Sequence, residues 1–143
     1  MNWIYGVAIS RDGDDFVVSV RDLPEVVTSG DNEAQALELA ADAIGVIVAG
    51  RIKDEADLPE PSALQSGEHA VPLAAQLAAK ASIYSLWRAA KVSKSELARR
   101  LGLNEGEVRR LLNPEHATKL DRIDEAARAL GGRIVVGAEP MAA

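Results

Sequence analysis

The most constraining feature of this sequence is the segment "SKSELARRLGLNEGEVRRLLN", which starts at Ser93 and predicts two short helices joined by a tight turn. Ser93 and Glu96 have the spacing of a capping box, and Asn104 and Glu107 repeat it, so we expect a helix to begin after each cap. Gly102 lies between the two helices, where the turn is expected to need a positive φ. This pattern is typical of a helix-turn-helix, in which the second helix reads DNA.

The packing positions of this segment fit the same interpretation. Ala98 is small, which lets two helices cross closely, and Leu103, Val108 and Leu111 are apolar, which fixes the second helix to its own domain. A helical corner that only packs a core is the alternative. The complete pattern, together with a local excess of basic residues, favours DNA binding over that alternative.

Charge is distributed unevenly between the two halves of the chain. The formal net charge is -6, yet residues 1–67 hold thirteen acidic and four basic side chains, and residues 68–143 hold nine acidic and twelve basic ones. DNA is a polyanion, so only the second half is expected to meet it. The acidic first half is either a solvated surface or a face for a basic partner, which complementary charge would attract.

The first 73 residues predict three strands, a helix and a fourth strand. The segments "WIYGVAIS" and "FVVSV" flank "RDGDD", whose composition suits a tight hairpin, and "VVTSG" can form a short third strand. Asn32 precedes a helical run that Gly50 is expected to end. After a connector with two prolines, "AVPL" predicts a fourth strand at a sheet edge. We therefore expect an α+β fold, with a β-β-β-α-β domain at 1–73.

Residues 74–143 are expected to form a second, all-helical domain. A first helix should end around Lys91, the two capped helices follow, and Thr118 is expected to cap a fourth helix that "GG" closes. The segment "RIVVG" then predicts a short apolar strand, whose free edge suits pairing with a second copy of the chain. One helix-turn-helix makes few DNA contacts, so a homodimer or higher oligomer is expected.

Candidate DNA-contacting residues lie on the second helix of the pair, opposite its apolar side, and at the start of the first. Arg109 and Arg110 suit guanine, because an arginine donates paired hydrogen bonds to O6 and N7, and Asn104 suits adenine. Lys94 and Ser95 are candidate phosphate contacts. A solvated helix surface is the alternative for each. The predicted set is Lys94, Ser95, Asn104, Glu105, Gly106, Arg109, Arg110 and Asn113.

Composition and motifs argue against catalysis. Cysteine is absent, which excludes disulfides and thiolate sites and fits a reducing cytoplasm. Asp12, Asp14 and Asp15 lie together in one turn, whereas a two-metal nuclease needs carboxylates converging from different elements. His69 and His116 belong to no visible nucleophile–base set, and His116 suits a loop or phosphate contact. We expect no enzyme, metal or cofactor, no membrane span or signal peptide, and a cytoplasmic location.

Nearly the whole chain resembles the HicB-type antitoxins of bacterial HicA–HicB toxin–antitoxin systems. The resemblance is carried by "DGDDFVVSVRDLPEVVTSGDNEAQALELAADAI", "LPEPS" and "VRRLLNPEHATKLDRI". It implies an N-terminal partial RNase H-like fold without nuclease activity, which masks a HicA-type RNA-cleaving toxin. It also implies a C-terminal domain that binds double-stranded operator DNA of its own operon. Some members carry a ribbon-helix-helix, so the helix pair predicts the helix-turn-helix subtype.

The predicted function is therefore an antitoxin that also represses its own operon. The leading alternative is a free-standing transcriptional regulator whose N-terminal domain senses a small molecule. A third interpretation is an enzyme built on the N-terminal domain. A small basic reading frame beside the gene would favour the antitoxin over both.

Overall fold

The computed structural model describes residues 1–141 and has an α+β fold, in which a four-stranded sheet and a helix precede four further helices. The first part contains β1 (Ile4–Asp12), β2 (Asp15–Val20), β3 (Thr28–Gly30), α1 (Glu33–Lys53) and β4 (His69–Pro72). The second part contains α2 (Ala75–Ala90), α3 (Lys94–Leu101), α4 (Glu105–Leu112) and α5 (Leu120–Ala129). The sheet order is β3-β2-β1-β4 with antiparallel neighbours, so the predicted fold class is confirmed.

A two-residue turn joins β1 to β2. Asp12 pairs with Asp15, which leaves Gly13 and Asp14 as the turn residues. Gly13 has a φ of 63°, a conformation that glycine adopts without the steric cost of a Cβ. The hairpin predicted from "RDGDD" is confirmed.

Helix α1 covers one face of the sheet with a single apolar stripe. The stripe residues repeat every four positions and are buried: Ala36, Ala40, Ile44, Val48 and Ile52. A Cβ on Gly30 would lie 2.6 Å from the backbone nitrogen of Ala36, so glycine lets β3 pass beneath the start of α1. The predicted end at Gly50 is wrong, because burial of Ile52 continues the stripe for one more turn and α1 ends at Lys53.

Helix α2 belongs to two hydrophobic clusters at once. Ala81 and Tyr84 are buried with the sheet and α1, whereas Ile83 is buried with α3, α4 and α5. Trp87 is partly buried against both clusters. The domain boundary predicted after residue 73 therefore falls immediately before a helix that both parts of the molecule share.

In the second half, one sequence expectation is wrong, and a second is not met within a single copy of the chain. Thr118 does not cap α5, whose first turn is preceded by Lys119 without a side-chain cap; the Thr118 hydroxyl accepts a hydrogen bond from Lys80 instead. Residues 133–141 form no strand within the chain. Ile134 packs on the second cluster, and Val135 and Val136 are 82 % and 72 % exposed, so this segment has no strand partner in a single copy.

Within residues 1–141, no helix combines the length and the apolar character that a membrane span requires.

Candidate nucleic-acid interface

Local sequence signals explain the helix pair α3–α4. The Asn104 side chain accepts from the backbone N–H of Glu107 at 2.8 Å, and the Glu107 carboxylate accepts from the backbone N–H of Asn104 at 3.2 Å, so the predicted capping box is confirmed. Only half of the box forms at α3, where the Ser93 hydroxyl accepts from the Glu96 N–H at 3.0 Å. Gly102 ends α3 with a φ of 65°, as predicted.

The two helices are fixed by a shared apolar contact. Leu97 and Ala98 of α3 and Val108 and Leu111 of α4 are buried in the second cluster. The N–H of Leu103 donates to the carbonyl of Ala98 at 2.9 Å, which closes the turn between the helices. One side of α4 is thereby committed to the core, and its opposite side faces outward.

We call the outward side of α4 and its two flanking residues the α4 face. Its members are Asn104, Glu105, Gly106, Arg109, Arg110 and Asn113, and all except the half-buried Gly106 are exposed. A Cβ on Gly106 would lie 3.7 Å from a guanidinium nitrogen of Arg109 and 3.7 Å from one of Arg110. The structure therefore brings the guanidinium groups of both predicted guanine-reading residues close to Gly106.

Some hydrogen-bonding groups of the α4 face are already in use. The Asn104 carbonyl oxygen caps α4, and the Asn113 carbonyl oxygen accepts from the Glu115 N–H at 3.0 Å. The amide NH2 group of each asparagine has no such partner among the described residues. Both side chains therefore keep donors for a ligand while their acceptors hold the helix ends.

Glu105 joins α3 to α4. Its carboxylate accepts a hydrogen bond from the Ser95 hydroxyl, and its other oxygen lies 3.9 Å from Nη1 of Arg109. All three side chains lie at the surface, so the Arg109 contact is a weak ion pair. Glu105 consequently restrains both a predicted base-reading residue and a predicted phosphate-contacting one.

Lys94 lines a groove together with Arg109 and Asn113 of the α4 face, but its ammonium is held by the first half of the chain. Its ammonium pairs with the carboxylate of Glu55, just beyond the end of α1, and lies 5.9 Å from the centre of the Trp87 ring. The remaining predicted residues are thus grouped on α4, with Ser95 linked to them through Glu105, whereas Lys94 sits at the contact with the first half. A long-range pair such as Lys94–Glu55 leaves no signal in local sequence.

Two more arginines of α3 are held by one acid. Glu96 accepts from Arg99 at 2.6 Å and 2.8 Å and from Arg100 at 3.1 Å. These hydrogen bonds, chiefly those from Arg99, lower the pKa of Glu96 to about 2. Arg100 also donates to the carbonyl of Ala129 at the end of α5, at 3.0 Å. The positive charge of α3 therefore serves contacts within the molecule.

A shallow groove of about 300 Å³ lies next to the α4 face. Arg110, His116, Lys119 and Arg122 supply its basic side chains, with Leu103 and Leu111 at its apolar floor and Glu107 among its lining. Sequence reasoning singled out His116 as a loop or phosphate contact but missed Lys119 and Arg122. The sequence signal for them was that both follow the loop after α4, at the start of α5, close to the predicted DNA-contacting helix.

Comparison with known proteins agrees with the resemblance seen in the sequence. Residues 4–82 match the family model described as a HicB-like antitoxin of bacterial toxin–antitoxin systems. The chain is 36 % identical to antitoxin HicB of Escherichia coli strain K12 over 116 residues, which are 81 % of this chain and 84 % of that protein. It is 35 % identical to antitoxin HicB 2 of Photorhabdus laumondii over 130 residues, 91 % of this chain and 92 % of that protein.

The chain belongs to the HicB-like antitoxin family. Antitoxin HicB of Pseudomonas fluorescens is a further relative, 31 % identical over 136 residues, which are 94 % of this chain and 93 % of that protein. The family model covers the sheet, α1 and the first half of α2. An alignment of 130 of the 143 residues also has to include α3 and α4, so the helix pair lies within the similarity to the Photorhabdus antitoxin.

In this HicB-like antitoxin, several acids of the first half lie at one end of the sheet and along α1. Phe16 pairs with Gly30, which places Asp15, the first residue of β2, next to Asp31 before α1. Glu38 and Asp42 are exposed one turn apart on the outer side of α1, beside Val46, which is 73 % exposed. Within residues 1–141, no three acidic or histidine side chains are grouped closely enough to hold a metal ion.

Proposed function

We propose that this antitoxin binds a HicA-type, RNA-cleaving toxin with its first half and represses its own operon with the α4 face. The observation that carries the DNA-binding part is the pair Arg109 and Arg110, exposed side by side on a helix whose opposite side is buried. The protein acts by binding and not as an enzyme. A toxin partner is implied by the family, and its chemical class is part of the proposal.

Arginine side chains on a helix of this kind suit the major groove of DNA. A helix fits that groove, and each arginine can donate two hydrogen bonds to a guanine edge. Because Gly106 has no side chain, the guanidinium groups of Arg109 and Arg110 can both lie close to the backbone of α4. The adjacent groove, with Lys119 and Arg122, supplies positive charge where the phosphate backbone would run.

Lys94 and Ser95 have a conditional part in this proposal. Lys94 has to leave Glu55, and Ser95 has to leave Glu105, before either can bind a phosphate. We therefore assign base recognition to Arg109 and Arg110 and treat these two residues as contacts that form only in the complex.

The experiment for DNA binding compares R109A/R110A with R11A/R128A, which removes the same charge at exposed positions outside α4. Binding to the double-stranded DNA upstream of the operon and to a scrambled duplex is measured by fluorescence anisotropy. Each good base contact is worth about 1–3 kcal/mol of discrimination, so we expect R109A/R110A to lose its preference for the upstream DNA. Equal discrimination by both variants would assign the reading to another surface.

The support for toxin binding is the free negative charge of the first half. A toxin that holds RNA needs a basic surface, and acidic side chains without a partner of their own would attract it. The outer side of α1 offers such acids, Glu38 and Asp42, around the exposed side chain of Val46.

The experiment for toxin binding co-expresses the antitoxin with the small protein encoded beside it and measures growth. E38K/D42K reverses two charges on α1, and D121K/E125K makes the same change on α5 as the control. Charge reversal at an interface mainly slows association, so we expect E38K/D42K to bind the toxin at least about tenfold more slowly and to rescue growth poorly. Rescue by E38K/D42K as good as by the control would remove the outer side of α1 from the proposal.

A further inference from the structure

Among the described residues, Lys80 of α2 is the one charged residue that is buried, with only 1 % of its surface exposed. No acidic side chain pairs with it there. Its ammonium donates instead to the carbonyl of Arg110 at 3.1 Å, the carbonyl of Leu111 at 2.7 Å and the hydroxyl of Thr118. An ammonium has three donors, so all three are used.

The two carbonyls belong to the last turn of α4. The final carbonyls of a helix lack the usual partner four residues on, and the partial negative charge of the helix end attracts a cation. The Arg110 carbonyl also accepts from the backbone N–H of Asn113 at 3.2 Å, which leaves one position on it for Lys80. Lys80 supplies both the donors and the charge, and it comes from a different helix. The end of α4 is therefore bound to α2 through the backbone of Arg110, one of the two arginines of the α4 face.

A second contact from α2 holds the same region. The side-chain carbonyl of Gln76, one turn before Lys80, accepts from the backbone N–H of Thr118 at 2.8 Å. Thr118 is thus held by α2 at its hydroxyl and at its backbone. The chain between the end of α4 and the start of α5 is attached to α2 at both of its ends.

This arrangement costs more than an apolar contact would. Burial lowers the pKa of Lys80 to about 8, which reflects the penalty of holding a charge away from water. A well-packed apolar residue is often at least as stabilising as a buried charge. A lysine at this position therefore points to a geometric requirement on α4.

We infer that Lys80 is a positioning residue, which sets the orientation of α4 on α2 and so the presentation of Arg109 and Arg110 to DNA. The inference rests on the proposed DNA binding. Because α2 also packs on the sheet and α1 through Ala81 and Tyr84, Lys80 makes the orientation of the DNA-reading helix depend on the toxin-binding half.

The test uses the full-length chain with Lys80→Met, which keeps the length and apolar stem of the side chain and removes its donors. Lys91→Met, at the exposed end of the same helix, is the charge-matched control. We measure affinity for the duplex upstream of the operon and for a scrambled duplex, well below the melting temperature, together with toxin binding. K80M is expected to lose about tenfold in the ratio of the two DNA affinities and to bind toxin normally; K91M should resemble the wild type.

Two further variants keep the test decisive if K80M does not fold. Thr118→Val removes the hydroxyl that accepts from the ammonium, Gln76→Ala removes the contact from α2 to the Thr118 backbone, and both leave Lys80 in place. Each is expected to lower the affinity ratio a few-fold, with toxin binding unchanged. An unchanged ratio in folded K80M, or in both of these variants, overturns the positioning role and leaves the proposed function standing. A wild type that does not distinguish the two duplexes overturns the proposed DNA recognition itself, and the positioning role with it.

Discussion

Charged side chains are used differently in the two halves of this antitoxin. Of the thirteen acids in residues 1–67, eight have no lysine, arginine or histidine side chain within 4 Å among residues 1–141, and the exposed pair Glu38 and Asp42 is among them. In the second half, seven of the twelve cations are paired with acids, and Lys80 holds the end of α4. The first half therefore presents its charge to solvent, whereas the second half uses most of its charge internally.

This difference shows that the net charge of a segment is a poor measure of its binding surface. The basic excess between residues 80 and 110 suggests a broad DNA-binding surface. In the structure, Arg88, Lys94, Arg99 and Arg100 serve ion pairs inside the molecule. Arg110 and Lys119, on the α4 face and in the groove beside it, have no acid within 4 Å among the described residues, and these are positions that we propose for DNA contact.

The largest loss of stability and binding is expected from a change in α2, because this helix packs in the hydrophobic clusters of both halves. Tyr84→Ala removes a buried ring from the first cluster and the hydrogen bond from its hydroxyl to the carbonyl of Ala56. Truncating a large aromatic side chain in a core typically costs about 3–5 kcal/mol. Because α2 belongs to both clusters, we expect toxin binding and DNA binding to fall together.

The measurement for Tyr84→Ala is thermal unfolding followed by far-ultraviolet circular dichroism and by tryptophan fluorescence. Trp3 is buried in the first cluster and Trp87 contacts both, so fluorescence reports on the first cluster and the junction. A single transition at a lower temperature is expected with both probes. Two separate transitions, with DNA binding retained between them, would mean that the halves fold independently.

A feature of the fold or of the candidate site could be predicted from the sequence when the residues that cause it are close together in the chain. The Asn104–Glu107 capping box, the positive φ of Gly102 and the turn at Gly13 follow from residues a few positions apart, and all three were predicted correctly. The helical run that forms α1 was predicted as well, but its end was not. Gly50 suggests a helix stop, and only the buried position of Ile52 shows why the helix continues.

The parts that sequence reasoning missed all join distant residues. Lys80 looks like a surface residue beside the stripe formed by Leu77, Ala81 and Tyr84, because its partners lie about 30 positions away. Thr118 suits a helix cap by its position, yet its hydroxyl is taken by Lys80. Local patterns identify caps and stripes, whereas the choice of partner for a polar group depends on which helices pack together.

A smaller loss of DNA affinity is expected from changes in residues 133–141, which we call the tail. Most of its apolar side chains are exposed, whereas most charged side chains of the second half are paired within the molecule. Val135 and Val136 are largely exposed, whereas Ile134 packs on the second cluster. We propose that the two valines pair with a second copy of the chain, which would hold two α4 faces at the spacing of DNA half-sites, about 34–36 Å. The double variant Val135→Asp with Val136→Asp tests this contact better than deletion of the tail, because it leaves the packing of Ile134 intact.

The tail variant is expected to sediment as a monomer and to bind the upstream duplex about tenfold more weakly. If the wild-type dimer neutralises about six phosphates, the slope of log affinity against log salt concentration is near -5. A monomer is expected to show a slope about half as steep. A dimer with an unchanged slope would place the contact between copies elsewhere on the molecule.

The smallest effect concerns Glu96, through which the second half neutralises its own arginines. Its pKa of about 2 lies below the ordinary value of 4.5, because Arg99 and Arg100 hydrogen-bond the carboxylate. Its contribution to stability is therefore complete above about pH 4.5 and is lost as the pH falls through about 2. An NMR titration of the Glu96 carboxyl checks this value. Glu96→Gln should remove the acid that neutralises Arg99 and Arg100 at neutral pH, which raises affinity for scrambled DNA a few-fold and steepens its salt dependence by about one unit. Unchanged binding to scrambled DNA would show that these arginines lie outside the reach of the phosphate backbone, and the DNA-binding surface would then be limited to α4 and the groove beside it.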